Sequence, residues 1–150
     1  MGTSSIASDG RAVWCPDSLI ELFAALLAEQ LRRDESSQLL AYAEYLTERA
    51  LAGTSGCIDL EFDALDMPSK QLVARAAAAV AELVLHEPER LSVTALARLG
   101  LVGYERDVAA EHVVMMAEVV IALLRGEWRW SAADEQALPC HWLHRKHHDA

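Results

Sequence analysis

Apolar residues recur at helical spacing over most of this chain, and the polar breaks between them mark out five or six helical segments. Leu19, Ile20, Leu22, Phe23, Leu26, Leu27 and Leu31 predict a first helix from about Pro16–Ser18 to Arg33. Pro16 suits a first turn, where its missing N–H costs nothing. Arg32 and Arg33 sit where the helix dipole favours positive charge. A second helix, from about Ser36 to Ala52, carries the stripe Leu39, Ala43, Leu46 and Ala50 and stops at Gly53.

The pattern then changes. Cys57-Ile58-Asp59-Leu60-Glu61-Phe62-Asp63 alternates with period two, as a strand does, but the sequence offers it no second strand to pair with. It is expected to be an extended connector, with Ile58, Leu60 and Phe62 turned inward and its acids outward. A third helix opens at Asp66-Met67-Pro68-Ser69 and runs to about His86, ended by Pro88, and Ala76 to Ala79 permit close helix–helix approach. A shorter helix spans Ser92 to Leu99 and ends at Gly100. The most apolar helix runs from about Asp107 to Arg125, with Gly126 as its stop. Ser131 to Asp134 resembles a cap for a last short helix, and Pro139 can start a final turn or two. These faces place Leu26, Leu46, Val73, Val80, Val113, Val120 and Leu124 in the core.

Composition agrees with helices. The hydrophobic fraction is 53% but aromatics are only 6%, so Ala, Leu and Val carry the excess. Seven Gly and four Pro are too few for the many tight turns of an all-β chain. The expected fold class is all-α: a single compact bundle of five to six helices with one extended acidic connector. Residues 1–15 are expected to be a disordered or loosely packed leader, 16–138 the helical domain, and 139–150 a Cys/His-rich tail. Met1 to Arg11 lacks the apolar region of a signal peptide. Val108 to Leu124 contains Glu111, His112 and Glu118, so it does not read as a membrane span. Three cysteines with no CxxC pair point to reduced thiols and a cytoplasmic setting.

Charge alters the functional picture. The chain carries a net charge of -10. Met1 to Asp66 holds 12 acids against 4 bases, whereas Met67 to Ala150 holds 11 against 9. Between Asp34 and Asp66, eight acids face the single base Arg49. A field of that sign repels nucleic acid and anionic membrane and favours a basic protein partner. Glu44 and Glu48 form a like-charge i,i+4 pair that mildly destabilises its own helix. Tyr42, Tyr45, Glu44 and Glu48 on the second helix, with Asp59, Glu61, Asp63 and Asp66 ahead of the third, are the candidate partner-binding residues. The tyrosines would anchor and the acids steer. The plain alternative is a solvated acidic face that aids solubility. A homodimer is compatible with this pattern.

The tail supplies a second chemistry. If residues from Pro139 onward are helical, Cys140, His141, His144, His147 and His148 fall within an arc of about 120°. Cys140/His144 and His144/His148 are i,i+4 pairs that could grip Zn²⁺ or Ni²⁺, although one short helix needs a second segment to close a tetrahedral site. The alternative is a frayed terminus. A di-iron site requires two Glu-x-x-His elements; Glu82 with His86 and Glu111 with His112 have the wrong spacing. The acidic segment from Asp59 to Asp66 lacks the glycine and terminal Glu of an EF-hand loop. Trp128 and Trp130, with Trp142 further on, fit a lid over the end of a core. Ser92 to Val113 has a faint helix-turn-helix character, but its second helix opens on Tyr104-Glu105-Arg106-Asp107, without the basic readers DNA contact requires. No nucleophile elbow, phosphate loop, dinucleotide fingerprint or zinc-protease helix occurs. The expected function is therefore non-catalytic: a cytoplasmic acidic protein that docks a basic partner, as immunity proteins, antitoxins and inhibitors of nucleic-acid enzymes do. A metal-binding or metal-sensing protein is the first alternative and a helix-turn-helix-like regulator the second.

Overall fold

A computed structural model describes residues 2–34, 37–52 and 56–127. Among them the chain is mostly helical, with one two-stranded antiparallel sheet. The elements are β1 (Thr3–Ser8), β2 (Arg11–Pro16), α1 (Asp17–Arg33), α2 (Leu40–Leu51), α3 (Met67–His86), α4 (Val93–Arg98) and α5 (Ala110–Leu124), with short 3-10 turns at Ser37–Leu39, Phe62–Ala64 and Pro88–Leu91.

The hairpin is the main departure from the expected all-α fold, and it occupies the stretch expected to be a loose leader. Asp9 and Gly10 both adopt left-handed backbone, with φ of 52° and 76°. A two-residue turn with two positive φ angles matches the right-handed twist of the strands it joins. The strands pair from Ser8↔Arg11 at the turn to Thr3↔Pro16 at the open end. Strand alternation turns Ser4, Ile6, Ser8, Val13 and Cys15 inward, and all five are buried. Ile6, Val13 and Cys15 join the same apolar cluster as the helices, which makes the hairpin part of the core rather than an appendage.

The helices follow the sequence pattern closely. Every residue of the predicted α1 stripe is buried, as are Leu39, Ala43, Leu46 and Ala50 around α2. The seven expected core positions are buried without exception. α3 opens on Asp66, whose side chain accepts from the Ser69 N–H at 2.8 Å, with Pro68 in its first turn. Ala74, Ala76 and Ala77 are buried on α3, which packs most extensively against α5.

Two helix starts differ from expectation. α2 is preceded by a 3-10 turn, so regular α-helix begins at Leu40. α5 begins at Ala110 because Asp107 is used elsewhere: its carboxylate accepts the Val93 N–H at 2.9 Å, capping α4 together with Ser92. Residues 99–109 thus separate α4 from α5, where a helix-turn-helix joins its helices with a turn of roughly three or four residues. The connector behaves as its alternation predicts. Ile58, Leu60 and Phe62 are buried, Asp59, Glu61 and Asp63 are exposed, and no strand pairs with it among the described residues. No helix is long and apolar enough to cross a membrane among the described residues.

Candidate partner-binding face

α2 has three kinds of side. One, with Ala43, Leu46 and Ala50, packs on the core. A second faces the connector and is built from Tyr42, Tyr45 and Arg49. The Tyr42 hydroxyl donates to the Leu60 carbonyl at 2.8 Å and the Tyr45 hydroxyl to the Asp59 carbonyl at 2.6 Å. The two rings stack with centroids 6.1 Å apart, and the Arg49 guanidinium lies 5.0 Å from the centre of the Tyr45 ring. That contact is a cation–π interaction.

These bonds change the role of the tyrosines. Burial pushes the Tyr42 phenol well above its ordinary 10.0, with Tyr45, Asp59 and Glu61 adding to the shift. Tyr45 is raised as well, by burial first and then by Glu61, while Arg49 opposes. An ionised phenol could not donate to a carbonyl, so both shifts agree with the hydrogen bonds. Tyr42 and Tyr45 pin the connector to α2 and are already committed inside the chain.

The third side of α2 faces outward and carries Glu44 and Glu48, both exposed. Neither has a hydrogen-bond or ion-pair partner among the described residues. On the connector, the Asp59 carboxylate accepts the Glu61 N–H at 2.8 Å, which supports Glu61 in a left-handed conformation with φ of 52°. Tyr42, Tyr45, Asp59 and Glu61 are therefore brought together. Asp63 and Asp66 are not. Asp63 accepts the Asp9 N–H at 2.8 Å and lies 4.0 Å from the Lys70 ammonium, while the Ser69 bonds to Asp66 hold its carboxyl below the usual range.

Two polar clusters were not anticipated, and both fasten the hairpin. Asp17, buried in the first turn of α1, accepts from the Ser4 hydroxyl and, at 2.7 Å, from the Gly56 N–H. Ser4 Oγ in turn accepts the Ile58 N–H at 2.9 Å. One carboxylate thus joins β1, α1 and the start of the connector. Opposite, Lys70 is buried in the first turn of α3. Its ammonium lies 3.3 Å from Ser8 Oγ and from both carboxylate oxygens of Asp9. Arg11 also donates to the Gly126 carbonyl beyond α5. Asp9-Gly10 was the available signal for the turn. A lysine in a helix's first turn, where the dipole disfavours it, was the available signal for a buried partner.

Cys140, His141, His144 and His148, with Trp128, Trp130 and Trp142, lie outside the described residues. Among the described residues no group of three or more His, Cys, Asp or Glu side chains is placed to hold a metal. No protein-family model, curated protein or solved structure matches the chain.

Proposed function

We propose that this chain is a non-catalytic, cytoplasmic acidic binding protein, a single helical bundle with a hairpin, that docks a basic protein partner. Immunity proteins, antitoxins and inhibitors of nucleic-acid enzymes share this physical profile. The observation that carries the reading is the pair Glu44 and Glu48. They are exposed, one turn apart on the outward side of α2, and no cation on the described chain neutralises them. Two like charges at this spacing cost a helix a few tenths of a kcal/mol, and nothing in the packing requires them. Glu61 on the adjoining connector extends the same sign of charge, and its field reaches Tyr45. Exposed charge of one sign raises the encounter rate with an oppositely charged protein and gives way to salt.

The test replaces Glu44, Glu48 and Glu61 with Lys, leaving Asp63 and Asp66 in place because they hold Lys70 and cap α3. The partner is retrieved on immobilised wild-type chain at low salt, and its association rate is then measured against ionic strength. The expected partner is basic, its association slows steeply as salt rises, and the triple variant associates at least about tenfold more slowly. Equal rates for the two proteins, or a flat salt dependence, would reduce the acidity to an aid to solubility.

A further inference from the structure

The outward side of α2 is not purely acidic. Leu40 and Leu51 are 46% and 52% exposed. They stand eleven positions apart, which places them within about 20° of one another around the helix and about 16 Å apart along it. Glu44 and Glu48 lie between them. Apolar ends around a charged centre are what a docking face presents, since the leucines gain from burial and the glutamates select the partner's sign.

A Cβ on Gly100 would stand 3.0 Å from Leu51 Cδ2, so the absence of a side chain there lets the loop after α4 close against Leu51. Two residues on, Val102 is 82% exposed. Leu40 and Leu51 thus flank the carboxylates at the two ends of α2, and Val102 adds an exposed apolar side chain two residues beyond the Gly100 approach to Leu51.

We infer that this side of α2 receives a basic amphipathic helix of the partner, laid along α2 with apolar side chains on Leu40, Leu51 and Val102 and Lys or Arg on Glu44 and Glu48. Charge complementarity sets the sign of the occupant. The span from Leu40 to Leu51 asks for about three turns of contact. A helix also satisfies its own backbone, whereas an extended strand laid on α2 would leave N–H and C=O groups unpaired. The inference rests on the docking function proposed above and adds the shape of what docks.

The test uses a synthetic peptide of about 15 residues, roughly four turns, with Leu on one helical face and Lys elsewhere. A control peptide has the same composition, scrambled so that no face is apolar. Binding is followed by fluorescence anisotropy, and backbone amide shifts of the full chain locate it. The amphipathic peptide is expected to bind more tightly than the control, with shifts concentrated in residues 40–51 and 99–102. Leu40→Ser with Leu51→Ser should weaken it by about tenfold, a loss of roughly 1.4 kcal/mol. Both positions are about half exposed, Leu51 also borders the loop at Gly100, and unchanged amide shifts outside residues 40–51 and 99–102 verify that the double variant keeps its fold. If the two peptides bind alike and the leucine variant matches wild type, the helix inference falls while charge-driven docking stands. If neither peptide binds at low salt and the glutamate-to-lysine variant behaves as wild type, both fall.

Discussion

On the hairpin side of the molecule, Asp17 is buried and its carboxylate holds Ser4 and the Gly56 N–H, while Asp9 and Asp63 surround the buried ammonium of Lys70. On the α2 side, Glu44 and Glu48 face solvent and hold nothing among the described residues. The same residue class does two jobs, and the difference is what lies within hydrogen-bonding reach. A buried carboxylate persists only if donors replace the water it loses. An exposed one keeps its water, contributes little to stability and projects its charge outward. The contrast extends to the aromatics. Tyr42 and Tyr45 sit at the border of the two regimes, their hydroxyls spent on the connector and their outer neighbours acidic.

The comparison can be broken most violently by placing a carboxylate where no donor waits. Val120 is fully buried on α5. Val120→Asp should cost about 4 kcal/mol or more and unfold much of the population at 37 °C. A thermal scan near that of wild type would contradict the assignment of that helix face.

Removing the native buried carboxylate should hurt less, because only its donors are stranded. Asp17→Ala leaves the Ser4 hydroxyl and the Gly56 N–H without an acceptor and should cost about 2–3 kcal/mol in urea unfolding. Asp17→Asn, which keeps an acceptor oxygen, should recover part of the loss. If the alanine variant matches wild type, the cluster does not fasten the hairpin.

Tyr42 gives a smaller and pH-dependent effect. Tyr42→Phe removes the bond to Leu60 and should cost about 1 kcal/mol near neutral pH. Because folding raises this phenol above its ordinary 10.0, its contribution is complete below that pH and is lost as pH rises beyond it. The sign follows from the proton the folded state retains and the unfolded state releases. Wild type should therefore lose stability on going from pH 9 to 11 more steeply than Tyr42→Phe. Part of the slope survives in the variant, since Tyr45 and Tyr104 are raised by burial as well. At the far end of the scale, the Glu44, Glu48 and Glu61 to Lys variant should unfold within about 0.5 kcal/mol of wild type while losing its fast association. A large stability change there would mean the outward acids belong with the buried ones.

Much of this was legible in the sequence. The stripes of α1, α2, α3 and α5 are long, and period 3.6 separates an inward from an outward face over many turns. The connector's alternation correctly assigned Ile58, Leu60 and Phe62 inward and the acids outward. The hairpin was missed because two of the three inward positions of β1, Ser4 and Ser8, are serines. Ser4 and Ser8 read as solvent residues until the structure supplies Asp17 and Lys70 as their partners. Tyr42 and Tyr45 show a different limit. Their position on α2 was right, but whether a hydroxyl is spent within the chain or offered to another depends on where a segment fourteen or more residues away comes to rest.

What the sequence by itself determined is therefore what local periodicity and charge can encode: the helices, their buried faces, the acidity of the first half and its exposure on α2. Those depend on neighbours three and four positions away, and they survive without knowledge of the fold. Which polar groups are used inside the chain was decided only by the tertiary structure. Asp17, Lys70, Asp63 and the two tyrosines each meet partners far along the chain. A hydrogen bond is directional and of short range, so its existence is set by the packing of elements and not by the residue types alone.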